Sequence, residues 1–115
     1  MRKTILIIGA GPIQVPGILR AKQMGLNVVA TDGDPEAVGF QNADSRNVVD
    51  VRDWESTLTL AKRQQISGVC CFAVESALRT VAAVSNELGL PGISILAAEK
   101  ATRSEERRVG KECRL

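Results

Sequence analysis

The feature that most constrains this chain is an aliphatic run, Thr4–Ile8, that stops abruptly at Gly9-Ala10-Gly11-Pro12. The run has no polar alternation, so neither face can be left in water, and it reads as a strand covered on both sides. Strands of that kind belong to parallel sheets, whose crossover connections lay helices over both faces.

The rest of the chain supplies the alternation this strand demands. A helix is predicted over Ile13–Met24, with Ile13, Val15, Ile18 and Leu19 as its apolar face, Pro16 in its first turn and Gly25 as C-cap. Asn27–Thr31 reads as the second strand, with Asp32 at its carboxyl end. Gly33–Gln41 reads as a loop with room for one helical turn after Pro35, and Asn47–Val51 as the third strand. Asp53 is placed to cap a helix over Trp54–Gln65 that faces Leu58 and Ala61 inward. Gly68–Ala73 follows as a fourth buried strand. Ser76–Leu88 is then a helix that opens near Glu75, buries Leu78, Val81, Ala82, Val84 and Leu88, and stops at Gly89. A brief fifth strand, Gly92–Ile93, and a helix from Ser94 to about Lys100 complete the pattern. Alternation with short links predicts one α/β domain: a Rossmann-like, doubly wound parallel sheet of about five strands in three α/β/α layers.

Composition narrows the functions available. The chain has 115 residues, enough for a single domain, and its 44% hydrophobic content with 3% aromatics implies an aliphatic core. Residues 1–102 hold ten Lys/Arg and ten Asp/Glu, so the net charge of +2 comes wholly from the last thirteen residues. A neutral body with few aromatics offers neither a basic face nor a stacking platform, which argues against nucleic acid. There is no His, and the three Cys have neither disulfide-framework nor metal-ligand spacing, so no metal site is expected. The N-terminal apolar run is too short for a signal segment or a membrane span, and a cytoplasmic location is expected.

Chemistry in an open parallel sheet gathers beyond the carboxyl ends of the strands. Three features fall there. The first is the turn Gly9-Ala10-Gly11-Pro12-Ile13-Gln14, where glycines let a ligand approach and a helix N-terminus offers N–H groups. Gln14 stands where a dinucleotide fingerprint needs a small residue, and Pro12 removes an N–H, so the pattern is a broken GxGxxG; a plain β–α turn explains it as well. The second is Asp32, either a ribose-binding acid or a surface carboxylate ending a strand. The third is Glu75, either a helix-capping acid or an acceptor for the amine or hydroxyl of a small substrate. Cys70 and Cys71, in a buried strand with no His near them, read as inert core.

The segments Ile-Leu-Ile-Ile-Gly-Ala-Gly-Pro-Ile-Gln-Val-Pro, Val-Val-Ala-Thr-Asp-Gly-Asp-Pro with Ala43-Asp44, Ala-Val-Glu-Ser-Ala-Leu-Arg-Thr-Val-Ala and Glu-Leu-Gly-Leu-Pro-Gly-Ile resemble, in order and spacing, the N-terminal domain of ATP-grasp enzymes. That family includes the carbamoyl-phosphate synthase large chain, biotin carboxylase and the purine-pathway ligases, and the resemblance covers Lys3–Lys100. It implies a ligase that joins a carboxylate to an amine or similar nucleophile through an acyl-phosphate. ATP and Mg2+ would be held by later domains of the same polypeptide, and this domain would form one wall of the substrate pocket. By the same resemblance the substrate contacts fall on Gly11, Pro12, Ile13, Gln14 and Glu75, with no catalytic residue on this domain. Where purine-type members carry an acid in the loop, this chain has Pro12-Ile13, so the substrate's identity does not transfer. The expected partners are a small carboxylate or amine and the ATP-grasp domains; the reading admits a homodimer of the full-length protein.

Residues 103–115 stand apart. Arg103–Arg114 resembles the in-frame translation of a sequencing adapter, which predicts a native domain over 1–102 and a foreign tail; a solvated charged helix is the other reading. On this view the 115 residues are a fragment, inactive alone and without a cofactor of their own. The competing functional reading is an NAD(P)-binding module, regulatory or dehydrogenase, held by Gly9, Gly11 and Asp32. A non-catalytic interaction domain is the third.

Overall fold

Four parallel strands make one sheet in the computed structural model, which describes residues 3–72 and 75–90. The strands are β1 (Thr4–Ile8), β2 (Asn27–Asp32), β3 (Ser45–Val48) and β4 (Gly68–Cys71), in the spatial order β3-β2-β1-β4. The chain builds outward from β1 to β2 and β3, then crosses to place β4 on the other side of β1. The strand order therefore reverses at β1, and its carboxyl end is the topological switch point.

The helices are α1 (Val15–Gln23), α2 (Trp54–Gln64) and α3 (Leu78–Leu88). Successive side chains on a strand point to opposite faces, and the core divides accordingly. Leu6, Ile8, Val29 and Val69 pack with Leu60 and Ala61 of α2 and with Val81 and Val84 of α3. Ile7, Val28 and Ala30 pack on the other face with Ile18 and Ala21 of α1 and with Phe40. The three-layer α/β/α architecture follows from that split. The fifth strand expected at Gly92–Ile93, the helix after Ser94 and the tail at 103–115 lie outside the described residues.

Two elements differ from the sequence reading. The third strand occupies Ser45–Val48 rather than Asn47–Val51, because its ladder ends where its partner does: Asp32, the last residue of β2, pairs with Val48. Beyond it Val49 donates to the Asp32 carbonyl, and the Asp50 side chain then turns the chain by accepting the Arg52 amide at 2.8 Å. The first helix begins as a 3-10 turn, Pro12–Gln14, before α1 proper, with Pro16 in the first turn where no N–H is needed. That tighter winding turns Ile13 outward to 69% exposure, and Leu19 is also exposed, so the buried face of α1 is Ile18 and Ala21.

The other caps follow the sequence reading. Asp53 accepts the Ser56 amide at 3.1 Å and so caps α2, and Gly89 closes α3 at φ +67°. The loop after β2 makes one 3-10 turn, Val38–Gln41. No helix among the described residues is long and apolar enough to cross a membrane.

Candidate functional site

At the carboxyl end of β1 the chain leaves the sheet through Gly9, whose φ of +101° only glycine adopts without strain. The three amides that follow β1 all have acceptors within the protein. Gly9 donates to the Thr31 carbonyl at 2.7 Å, Ala10 to Asp32 Oδ2 at 2.9 Å, and Gly11 to Gln14 Oε1 at 2.9 Å. Gln14 in turn donates its backbone N–H to the Gly11 carbonyl at 3.0 Å. The Gln14 side chain thus makes the back-reaching half of a capping box, while Gly11, which has no side chain, contributes only the backbone 3-10 bond.

Gln14 is buried, and its Nε2 donates to the carbonyl of Phe72 at the end of β4. The residue that stands where a dinucleotide fingerprint needs a small one is the clasp between the loops after β1 and β4. A glutamine at the third position of a helix start was the signal for this role. The turn is braced from its other side by Gly39, whose amide donates to the Ala10 carbonyl at 2.7 Å. A Cβ on Gly39 would stand 2.5 Å from that same oxygen, so no other residue fits there unshifted.

Asp32 does double duty beside the turn. One oxygen holds the Ala10 amide and the other accepts the Asp34 amide at 2.9 Å, which fixes the bend into Gly33-Asp34-Pro35. Gly9, Gln14, Asp32, Asp50, Arg52 and Ser76 line a depression of about 330 Å³ over the switch point. Glu75 opens the next depression, about 560 Å³, which shares Arg52 and Ser76 with the first and continues past Trp54 to Arg79. Gly9 and Gln14 of the turn, Asp32 and Glu75 thus lie along one edge of the sheet, in two adjoining hollows, whereas Gly11, Pro12 and Ile13 line neither of them.

Arg52 connects the two hollows and faces Asp50, 3.4 Å away. The Arg52 backbone amide, and then its guanidinium, hold the Asp50 carboxyl below the usual carboxylate range. Sequence reasoning missed both residues, since Asp50 fell within the strand read over Asn47–Val51 and Arg52 directly after it. Thr80 of α3 fixes this segment by donating its hydroxyl to the Val51 carbonyl at 2.7 Å.

Cys70 and Cys71 are part-buried on β4. Burial, and then the neighbouring Cys71, push the Cys70 thiol up to about 11, which suits an inert thiol rather than a nucleophile. Among the described residues no group of three or more His, Cys, Asp or Glu could hold a metal ion.

No family model matches the chain. It is 27% identical over 100 residues to the formate-dependent phosphoribosylglycinamide formyltransferase of Prochlorococcus marinus (strain MIT 9313), an alignment covering 87% of this chain and 25% of the relative. The N5-carboxyaminoimidazole ribonucleotide synthetase of Thermotoga maritima superposes with a TM-score of 0.71 at 28% identity, over 90% of this chain and 29% of that one. The phosphoribosylglycinamide synthetase of Anaerococcus prevotii superposes with a TM-score of 0.80 over 88% of this chain and 26% of that one; at 23% identity it speaks for the fold alone. The chain spans about a quarter of the length of the curated relative, and the matches fall on the N-terminal portions of such enzymes. In sequence and in fold, then, this chain is similar to the N-terminal portions of ATP-grasp ligases.

Proposed function

We propose that the chain is the substrate-side domain of an ATP-grasp ligase that joins a carboxylate to an amine or similar nucleophile through an acyl-phosphate. The observation that carries the reading is the pair of adjoining hollows at the switch point, on a domain whose relatives are ATP-dependent ligases. In it, Gly11, Pro12, Ile13, Gln14 and Glu75 belong to this domain's single wall of the substrate pocket. Exposed Ile13 offers an apolar contact on the turn, and the Glu75 carboxylate is an acceptor for an amine or hydroxyl.

ATP and Mg2+ fit other domains of the full-length enzyme better than this one. The described residues present no metal-binding cluster, and the turn's amides at Ala10 and Gly11 are already bonded. This domain's part is to bind and orient the substrate and to exclude water from its side of the cleft. The same bonded amides weigh against the NAD(P) reading, which needs them free for a pyrophosphate, and Asp32 is engaged in holding the turn.

The test is ADP release by a polypeptide carrying this domain joined to its ATP-grasp domains, assayed with panels of carboxylates and amines in the presence of Mg2+. Substrate-dependent ADP release is expected, with Glu75→Ala raising KM for one substrate; the 115-residue chain alone should turn over no ATP. Tight binding of NADH or NADPH to the chain, measured by calorimetry, would overturn the proposal.

A further inference from the structure

The turn after β1 has the shape of an anion cradle, with a positive-φ glycine, a second glycine and a helix start behind them. Its chemistry is the reverse. A phosphate or carboxylate seated there would need the Ala10 and Gly11 N–H groups, and each is already given to a side chain, Asp32 Oδ2 and Gln14 Oε1, at 2.9 Å. Asp32 is exposed enough to be reached by solvent. Gln14 is not: it is 6% exposed, and its other end is anchored on the Phe72 carbonyl. An incoming anion would have to break two hydrogen bonds of a buried amide to reach the Gly11 N–H, leaving polar atoms unpaired.

The charges around the pocket point the same way. Asp32 and Asp50 both line it, against the single guanidinium of Arg52, which already faces Asp50. Glu75 precedes Ser76 at the shared boundary of the two hollows. Over both hollows the carboxylates of Asp32, Asp50, Glu75 and Glu87 outnumber the guanidinium groups of Arg52 and Arg79 among the described residues.

We propose that Gln14 is a specificity-determining residue of the pocket: by holding the Gly11 N–H it closes the turn to phosphate and carboxylate groups and leaves the site to ligands that present hydrogen-bond donors, hydroxyl or ammonium. The inference rests on the reading of this pocket as a substrate wall, and it assigns the amine- or hydroxyl-bearing end of the substrate to this domain. The carboxylate and its phosphorylated form then belong on the opposite wall.

The test is a titration of the isotope-labelled 115-residue chain with sodium pyrophosphate, read at the Ala10 and Gly11 amide resonances. In the wild-type chain the Gly11 resonance is expected to stay in place. In Gln14→Ala, pyrophosphate should shift it, with affinity raised about tenfold or more over the wild type, the scale of one freed hydrogen bond. Gln14→Glu keeps an acceptor on Gly11 and adds negative charge, so it should stay as silent as the wild type. Should Gln14→Ala fail to fold, Gln14→Gly, which completes the glycine spacing, serves in its place with the same expectation. A wild-type Gly11 resonance that moves as far as that of the variant overturns the inference, as does a folded variant that ignores pyrophosphate. Neither result touches the ligase reading, which stands or falls on ADP release.

Discussion

Asp32 and Ala10, 22 positions apart in sequence, are joined by a 2.9 Å hydrogen bond from the Ala10 amide to Asp32 Oδ2. The bond ties the carboxyl ends of the two central strands together at the switch point. An acid in this place is usually thought of as facing a ligand; here it first holds the protein's own backbone.

Asp32→Ala should therefore destabilise the fold, and not only change binding. It leaves the Ala10 and Asp34 amides without their acceptor, a loss of about 1–3 kcal/mol for bonds to a charged group. Asp32→Asn retains one carbonyl acceptor and should cost less. Urea unfolding measures both, and an alanine variant with an unchanged midpoint would show that solvent replaces the carboxylate freely.

The C-cap of α2 is the one non-glycine position among the described residues with positive φ: Gln65, at +53°. A side chain there is strained, and Gly is the residue that accepts the conformation. Gln65→Gly should raise stability by about 0.5–1 kcal/mol despite glycine's greater freedom in the unfolded chain. A drop in thermal midpoint would mean that the Gln65 side chain makes up for its backbone.

Much of this architecture was legible in the residues themselves. Thr4–Ile8 announced a doubly covered strand, Asp53 its helix cap, and Gly25 and Gly89 their helix ends, because each is a local decision made by neighbours in sequence. The third strand was misplaced because its extent is set by the length of β2, a non-local fact, while Val48, Val49 and Val51 carry strand-like side chains and Val51 packs on the core from beyond the ladder. Ile13 was misassigned because a helical wheel assumes α winding, and the 3-10 turn at Pro12–Gln14 rotates it to the surface. At the site, sequence located the edge and three of its features. It could not see that Gln14 and Asp32 fill the turn's amides, or that Asp50 and Arg52 join them, since those are contacts across distant segments.

Asp53 provides a pH test. Its bond from the Ser56 side chain and amide holds its carboxyl below the ordinary value of 3.8. A carboxyl lowered in the folded state takes up its proton first in the unfolded chain. Its contribution is thus present above the unfolded value and is lost as pH falls through the folded one. Asp53→Asn, also a good cap, should match the wild type near neutrality and lose less stability on acidification from pH 5 to pH 2. Equal acid sensitivity of the two proteins in thermal melts would assign the effect elsewhere.

Cys70 should be slow to alkylate. With its thiol at about 11, only about one molecule in a thousand carries the thiolate at pH 8, and the strand around it limits access further. Iodoacetamide labelling followed by peptide mass analysis should find Cys70 modified far more slowly in the folded protein than in urea. Comparable rates in both would mark it as an activated, accessible nucleophile.

The Gly39–Ala10 contact has a consequence for how such a domain can diversify. It welds the segment between β2 and β3 onto the turn after β1, with a fit so close that a single added carbon would collide with the Ala10 oxygen. Insertions that reshape this rim are therefore confined to the solvent-facing stretch Gly33–Glu36, upstream of the weld. A lineage that lengthened the chain at Gly39 itself would have to rebuild the neighbouring turn in the same stroke, so this glycine acts as a fixed hinge-pin around which only one side of the loop is free to drift.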